Sequence, residues 1–245
     1  MTRKNTTPRE VDWRYRVVTS LAEDAVLPSG KTAIKGTAVS VSAFLKHGKT
    51  TLSIGDPSAP ALYLSLSHKA YSKSLRLHPF RNSVSSTNEY ELSTKVYDYL
   101  EQISAAVIFA FSALEAFANE AVPGEFTHET KKRSGIFVVF QKDSIERHIS
   151  LDEKLGDVLP KALNKPSPRG SQIWSDYVLL RRLRDRLIHL KSKDRRHTNV
   201  DDPFPISIWS DLSAPNQPSY PSIAKNMIIH FLSADNNHWL KFCPF

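Results

Sequence analysis

The sequence predicts an α+β chain, with a C-terminal up-and-down bundle of α-helices over residues 86–245 and a small antiparallel β region over residues 1–85. Three observations predict it. Apolar and polar residues alternate near the N-terminus; apolar residues then recur in steps of three and four over residues 92–121; and 15 Pro against 8 Gly give stiff, well-punctuated connections.

Val11, Trp13, Tyr15 and Val17 alternate with Asp12, Arg14 and Arg16, the period of a half-buried strand. The same alternation runs through Val39, Val41 and Ala43. Two shorter apolar stretches, residues 52–54 and 62–66, are expected to be strands, separated by the turn signals Gly55-Asp56-Pro57 and Ala59-Pro60.

After the polar residues 78–88 the period changes. Ser86 followed by Glu89 has the spacing of a capping box. Val96, Leu100, Ile103, Val107, Ala110, Leu114, Phe117 and Ala121 then mark one helix, which Pro123-Gly124 ends. About 30 residues make roughly 45 Å of helix, apolar all round over residues 105–111, so it needs partners on several sides. Residues 145–163, 173–190 and 223–232 are the candidate partners, and residues 165–170 and 201–221 are expected to be loops.

A chain of 245 residues can bury a sizeable core, and one cysteine, Cys243, allows neither an intramolecular disulfide nor a thiolate metal cluster. The first 30 residues hold no signal-like apolar run. Residues 105–118, broken by Ser112 and Glu115, are too short to span a bilayer, so a cytoplasmic chain without a membrane partner is expected.

The formal charge of +8 favours polyanions. Residues 181–197 carry eight Lys or Arg against Asp185 and Asp194, a local excess of +6 (eight minus two). Arg181, Arg182, Arg186, Lys191 and Lys193 are therefore candidate RNA-binding residues, although a basic segment is as often a solvated face.

Within that segment Leu180, Leu183, Leu187 and Leu190 form a buried stripe. Arg182, Arg186 and His189 lie on the opposite side, Asp185 one turn before His189, and Arg184 on the flank, from where it could reach towards the imidazole. Transfer of a phosphodiester to a ribose 2′-hydroxyl needs a proton acceptor, a proton donor and cations for the developing charge; histidine and arginine supply these without a metal. Taken alone, the pattern also fits an Asp185–His189 surface pair among solvated arginines.

The run Arg184-Asp185-Arg186-Leu187-Ile188-His189 resembles the motif of HEPN (higher eukaryotes and prokaryotes nucleotide-binding) domains, an Arg and a His separated by four to six residues. Ser112-Ala113-Leu114-Glu115-Ala116-Phe117-Ala118-Asn119-Glu120 resembles the long helix that precedes it in that family. The resemblance covers residues 86–232. It implies a helical bundle that forms a homodimer, with motif helices of two protomers lining one cleft. In many members that cleft is a ribonuclease site of toxin-antitoxin, abortive-infection or RNA-degrading systems, so a toxin or anti-phage defence effector is the expectation for this chain.

Carried over by position, Arg184 would stabilise the scissile phosphate, His189 would move protons, Asp185 would orient His189 or the ribose, and Glu115 and Asn119 would support the motif helix. Asp185 stands where the family more often has Asn, which brings a negative charge close to the phosphate site. RNA is the expected partner, an antitoxin or other regulatory protein is a family-level expectation, and neither a cofactor nor a metal is required. Glu115 and Asn119 also fit a polar seam between helices.

Other signals fall away. Gly48-Lys49-Thr50 lacks the glycine a phosphate-binding loop needs at position 43, where Ala43 stands; the nine histidines show no zinc-protease spacing; and no nucleophile elbow occurs. Trp13 and Tyr15 beside Arg14 and Arg16 could stack bases, but an amphipathic strand more often turns its aromatic residues into the core.

Overall fold

The computed structural model describes residues 12–17, 19–26, 30–39, 42–79, 88–131, 135–195, 207–233 and 237–245. It is a mixed α+β chain in which small antiparallel strand pairs decorate a helical body.

β1 (Thr19–Ser20) pairs with β4 (Ala38–Val39), and β2 (Ala25–Val26) with β3 (Thr32–Ala33). β5 (Ser42–His47) and β6 (Thr50–Gly55) form a hairpin closed by Gly48-Lys49, with Gly48 at φ +57°, a conformation that favours glycine. The strand expected around Trp13 is not a regular one. Tyr15 bridges to Pro57, and Arg16 N–H donates to Asp56 O at 2.7 Å, so this segment lines the approach to the first helix. Val11 and Val41 lie outside the described residues.

Residues 62–66, expected as a strand, belong instead to α1 (Ala59–Leu77), capped by Ser58, whose hydroxyl accepts from Ala61 N–H at 3.4 Å. The helical body thus begins inside the stretch expected to be β-rich. Leu62 and Leu66 are exposed, while Ala61, Leu64, Ser65, Ser67, Ala70 and Ser74 are buried. Small side chains let α1 lie close along α2 (Glu89–Glu120), near enough for Ser67 Oγ to donate to Ala106 O at 2.7 Å. The two run antiparallel: the ring of His78 meets Tyr99 at 5.0 Å, and the Glu120 carboxyl takes an N–H from Ala59.

α2 has 32 residues and starts from Asn88, whose side chain accepts from Tyr90 N–H at 3.0 Å; Ser86, the expected cap, lies outside the described residues. By length and composition α2 could cross a membrane. Its apolar positions, Ile103, Val107, Ala110, Leu114 and Phe117, are buried against α1, α6 (Gln172–Ile188) and α8 (Tyr220–Phe231), which is how a core helix satisfies the same composition.

β7 (His128–Lys131) and β8 (Phe137–Phe140) form a further hairpin. The single helix expected over residues 145–163 is broken into α3 (Lys142–His148), α4 (Leu151–Glu153), a π turn (Lys154–Val158) and α5 (Leu159–Ala162). Ile149 is extended, and Ser150 restarts the helix by accepting from Glu153 N–H at 3.2 Å. In the π turn, Gly156 leaves room for Arg169: a Cβ there would come within 2.3 Å of its Nε. α7 (Ile208–Leu212) lies inside the expected loop 201–221, and a short α9 (His238–Lys241) follows α8.

Three phenols anchor the core. Tyr99 donates to Leu212 O at 2.5 Å, Tyr177 to Asp152 and Tyr220 to Gln217. Burial pushes the Tyr99 phenol up to about 12 and raises those of Tyr177 and Tyr220 as well. An unfolded phenol titrates near 10. Folded pKa values above the unfolded one mean a contribution fully present below about pH 10 and lost as pH rises through the folded values. Stability measured by circular dichroism is therefore expected to fall steeply above about pH 10, and less steeply in Tyr99→Phe.

Candidate active site

Ser171 caps α6 by accepting from Trp174 N–H at 3.3 Å, and Tyr177, Leu180 and Leu183 bury its inner face. Leu187 and Leu190 pack against the core edge, as the stripe predicted. This fixes the rotation of α6 and decides where its charged residues point.

Arg184 faces α2. Its guanidinium carbon lies 4.0 Å from the Phe111 ring centroid, NH2 donates to Glu115 Oε1 at 3.1 Å, and NH1 donates to Asp185 Oδ1 at 2.9 Å. Glu115 and Arg184, 69 positions apart, are therefore in direct contact. The guanidinium side chain is 24% exposed against 46% for Glu115 and 49% for Asp185, so the carboxylates form the outer layer and the trio is net negative.

His189 ends α6. Its backbone N–H donates to Asp185 O at 2.9 Å, its φ of −120° and ψ of 59° leave the helix, and its side chain is exposed. Five residues along a helix place Arg184 and His189 about 140° apart around the axis, whereas Asp185 and His189 differ by about 40°. The expectation that Arg184 reaches towards the imidazole is thus corrected: the guanidinium is drawn to Glu115 on α2.

Asn119 does not join this trio. Its Oδ1 accepts from Lys154 Nζ at 2.7 Å, and the same ammonium donates to Glu146 O at 2.8 Å. Lys154 is buried in the π turn; burial lowers its pKa, and Glu115 and Glu146 pull the other way. Asn119 therefore holds the break between α4 and α5 against α2. Asn119→Leu, which removes the acceptor from a buried ammonium, is expected to cost about 1–3 kcal/mol in chemical denaturation.

No family model, curated protein or solved structure matches this chain in comparison.

The expected RNA-binding residues divide. Arg181 pairs with Asp152, whose other oxygen accepts from Tyr177. Arg186 pairs with Asp194 at 2.6 Å and with Asp211, tying α6 to the 3₁₀ turn Ser192–Arg195 and to α7. Arg182 and Lys191 are exposed, and the Lys193 side chain is not among those described. Three arginines of the basic run, Arg181, Arg184 and Arg186, are thus engaged by carboxylates of Asp152, Glu115 and Asp211 from other elements and of Asp194 within the run. Among the described residues, no group of three or more His, Cys, Asp or Glu is placed to hold a metal ion.

Sequence reasoning missed Phe111, Tyr177, Asp152 and Lys154. Phe111 stands in the sequence only as part of the all-apolar stretch 105–111, and Tyr177 lies one turn before the leucine stripe; both are core, with ring centroids 6.4 Å apart, and Arg184 lies over Phe111. Asp152 and Lys154 lie where a continuous helix was expected, so no signal singled them out.

Proposed function

We propose that this chain is a metal-independent endoribonuclease of the HEPN type, cytoplasmic and homodimeric, acting as a toxin or anti-phage defence effector. The observation that carries the proposal is the contact of Arg184 with Glu115, which joins the two segments that resemble that family.

In the proposed reaction the ribose 2′-oxygen attacks the adjacent phosphorus and its proton passes to a base. The P–O5′ bond breaks, and the leaving 5′-oxygen takes a proton from an acid. The products are a 2′,3′-cyclic phosphate and a 5′-hydroxyl. His189, exposed at the helix end, handles protons. Arg184 offers two N–H groups to the phosphorane oxygens once a phosphate displaces Glu115 or Asp185, both about half exposed. Asp185, on the His189 side of the helix, orients the imidazole. Because Arg184 and His189 diverge around α6, a working site draws on two copies of the helix, consistent with a homodimer.

The second reading, a non-catalytic module that binds RNA, a nucleotide or a protein, is kept by one observation that bears on the chemistry: Arg184, the cation the reaction needs, is already paired with Glu115 and Asp185. Incubation with RNA and with DNA of the same sequence in EDTA separates the two. The nuclease is expected to cut RNA and leave DNA intact. A dependence on Mg²⁺, or equal cutting of DNA, would falsify the mechanism; salt-sensitive RNA binding without product would favour the module.

A further inference from the structure

The β5–β6 hairpin has no part in the site described above, yet its composition is distinctive. Residues 42–55 contain no carboxylate, while Lys46 lies on β5 just before the tip and Lys49 in the tip itself. All of these residues except Ala43 are exposed.

The register separates two faces. Ala43, Leu45, Leu52 and Ile54 occupy one. The other carries Phe44 opposite Ser53 and Lys46 opposite Thr51, with Ser42 beside Phe44. Phe44 is 67% exposed, an aromatic ring offered to solvent, and Lys46 stands about 7 Å further along the same face. A flat ring, a cation one step away and neighbouring hydroxyls are what an unpaired nucleotide needs, because the ring stacks on the base and the ammonium meets the phosphate.

We infer that the Phe44–Lys46 face of the β5–β6 hairpin binds single-stranded nucleic acid, with one base stacked on Phe44 and the backbone held by Lys46 and Lys49. A polyanion is the occupant that fits a hairpin of only positive charge in a chain of net charge +8. This deepens the ribonuclease reading by naming where the substrate strand is held, and it rests on that reading for the choice of RNA. An RNA duplex, its bases already stacked, offers Phe44 no free face.

The test uses the full chain and a fluorescein-labelled 2′-O-methyl oligouridylate of about 12 nucleotides, which 2′-hydroxyl attack cannot cleave, read by fluorescence anisotropy. Phe44→Ala is expected to weaken binding roughly tenfold, with Phe44→Trp close to wild type. Lys46→Ala/Lys49→Ala is expected to lower the slope of log affinity against log salt by about 1.4, or 0.7 for each phosphate released. A self-complementary RNA duplex is expected to bind several-fold more weakly.

Wild-type affinity in Phe44→Ala overturns the inference. So does binding to anionic lipid vesicles that is lost in Leu45→Ser/Leu52→Ser while oligouridylate affinity is insensitive to Phe44, since the aliphatic face would then be the working one. The two readings fail separately. Phe44-dependent binding without cleavage of natural RNA retains the hairpin inference and removes the nuclease, and cleavage with Phe44-independent binding does the reverse.

Discussion

Arg186→Ala is expected to destabilise the folded chain by about 3 kcal/mol, because Asp194, whose side chain is fully buried, loses its guanidinium partner. Arg186 donates through Nε and NH2 to Asp194 Oδ1, at 2.9 Å and 2.6 Å, and through NH1 to Asp211. One side chain therefore ties the end of α6 to two other elements. Urea denaturation followed by circular dichroism measures the change, with Arg182→Ala, on the exposed side of the same helix, expected to stay within about 0.5 kcal/mol of wild type. Had the sequence reading of Arg182 and Arg186 as solvent-facing RNA contacts been sufficient, the two variants would behave alike, both near wild type in stability and both weaker in RNA affinity.

Arg184→Ala is expected to lower RNA cleavage by about 10²–10³-fold through loss of charge stabilisation at the phosphate, and His189→Ala by about 10²–10⁴-fold through loss of proton transfer. The double variant is expected to be little worse than the poorer single one, since the two groups act on one transition state. Arg184→Lys separates charge from geometry: lysine keeps the cation but cannot bridge Glu115 and Asp185 with a planar fork, so it is expected to recover only part of the activity. Rates from single-turnover cleavage of a labelled RNA read all four. Equal activity in wild type and Arg184→Ala would remove Arg184 from the chemistry.

How much of this was legible depended on how each element buries itself. α2, α6 and α8 bury large aliphatic or aromatic side chains at helical spacing, so their period stands in the sequence. α1 buries alanines and serines against α2 and leaves Leu62 and Leu66 in solvent, so its visible apolar residues trace period two, and a strand was expected where a helix stands. The region around α4 has helical composition throughout, and the extended Ile149 with the π turn after it leaves no mark on periodicity.

At the site, the meeting of Glu115 with Arg184 was foreshadowed by two separate segments of one resemblance. The direction of each arginine was not. Asp152, Glu115, Asp194 and Asp211 come from four different elements, and only the fold brings them onto α6. Charge counted along the chain therefore overstated the free positive charge that the α6 end presents.

The proposed function requires the Arg184–His189 segment to cleave RNA by 2′-hydroxyl attack. Its most direct test is end-group determination on the products of wild type and Arg184→Ala incubated with natural single-stranded RNA in EDTA. The expected result is 2′,3′-cyclic phosphate and 5′-hydroxyl ends with wild type and intact RNA with the variant. Products ending in 3′-hydroxyl and 5′-phosphate, or the same products from both proteins, would contradict it.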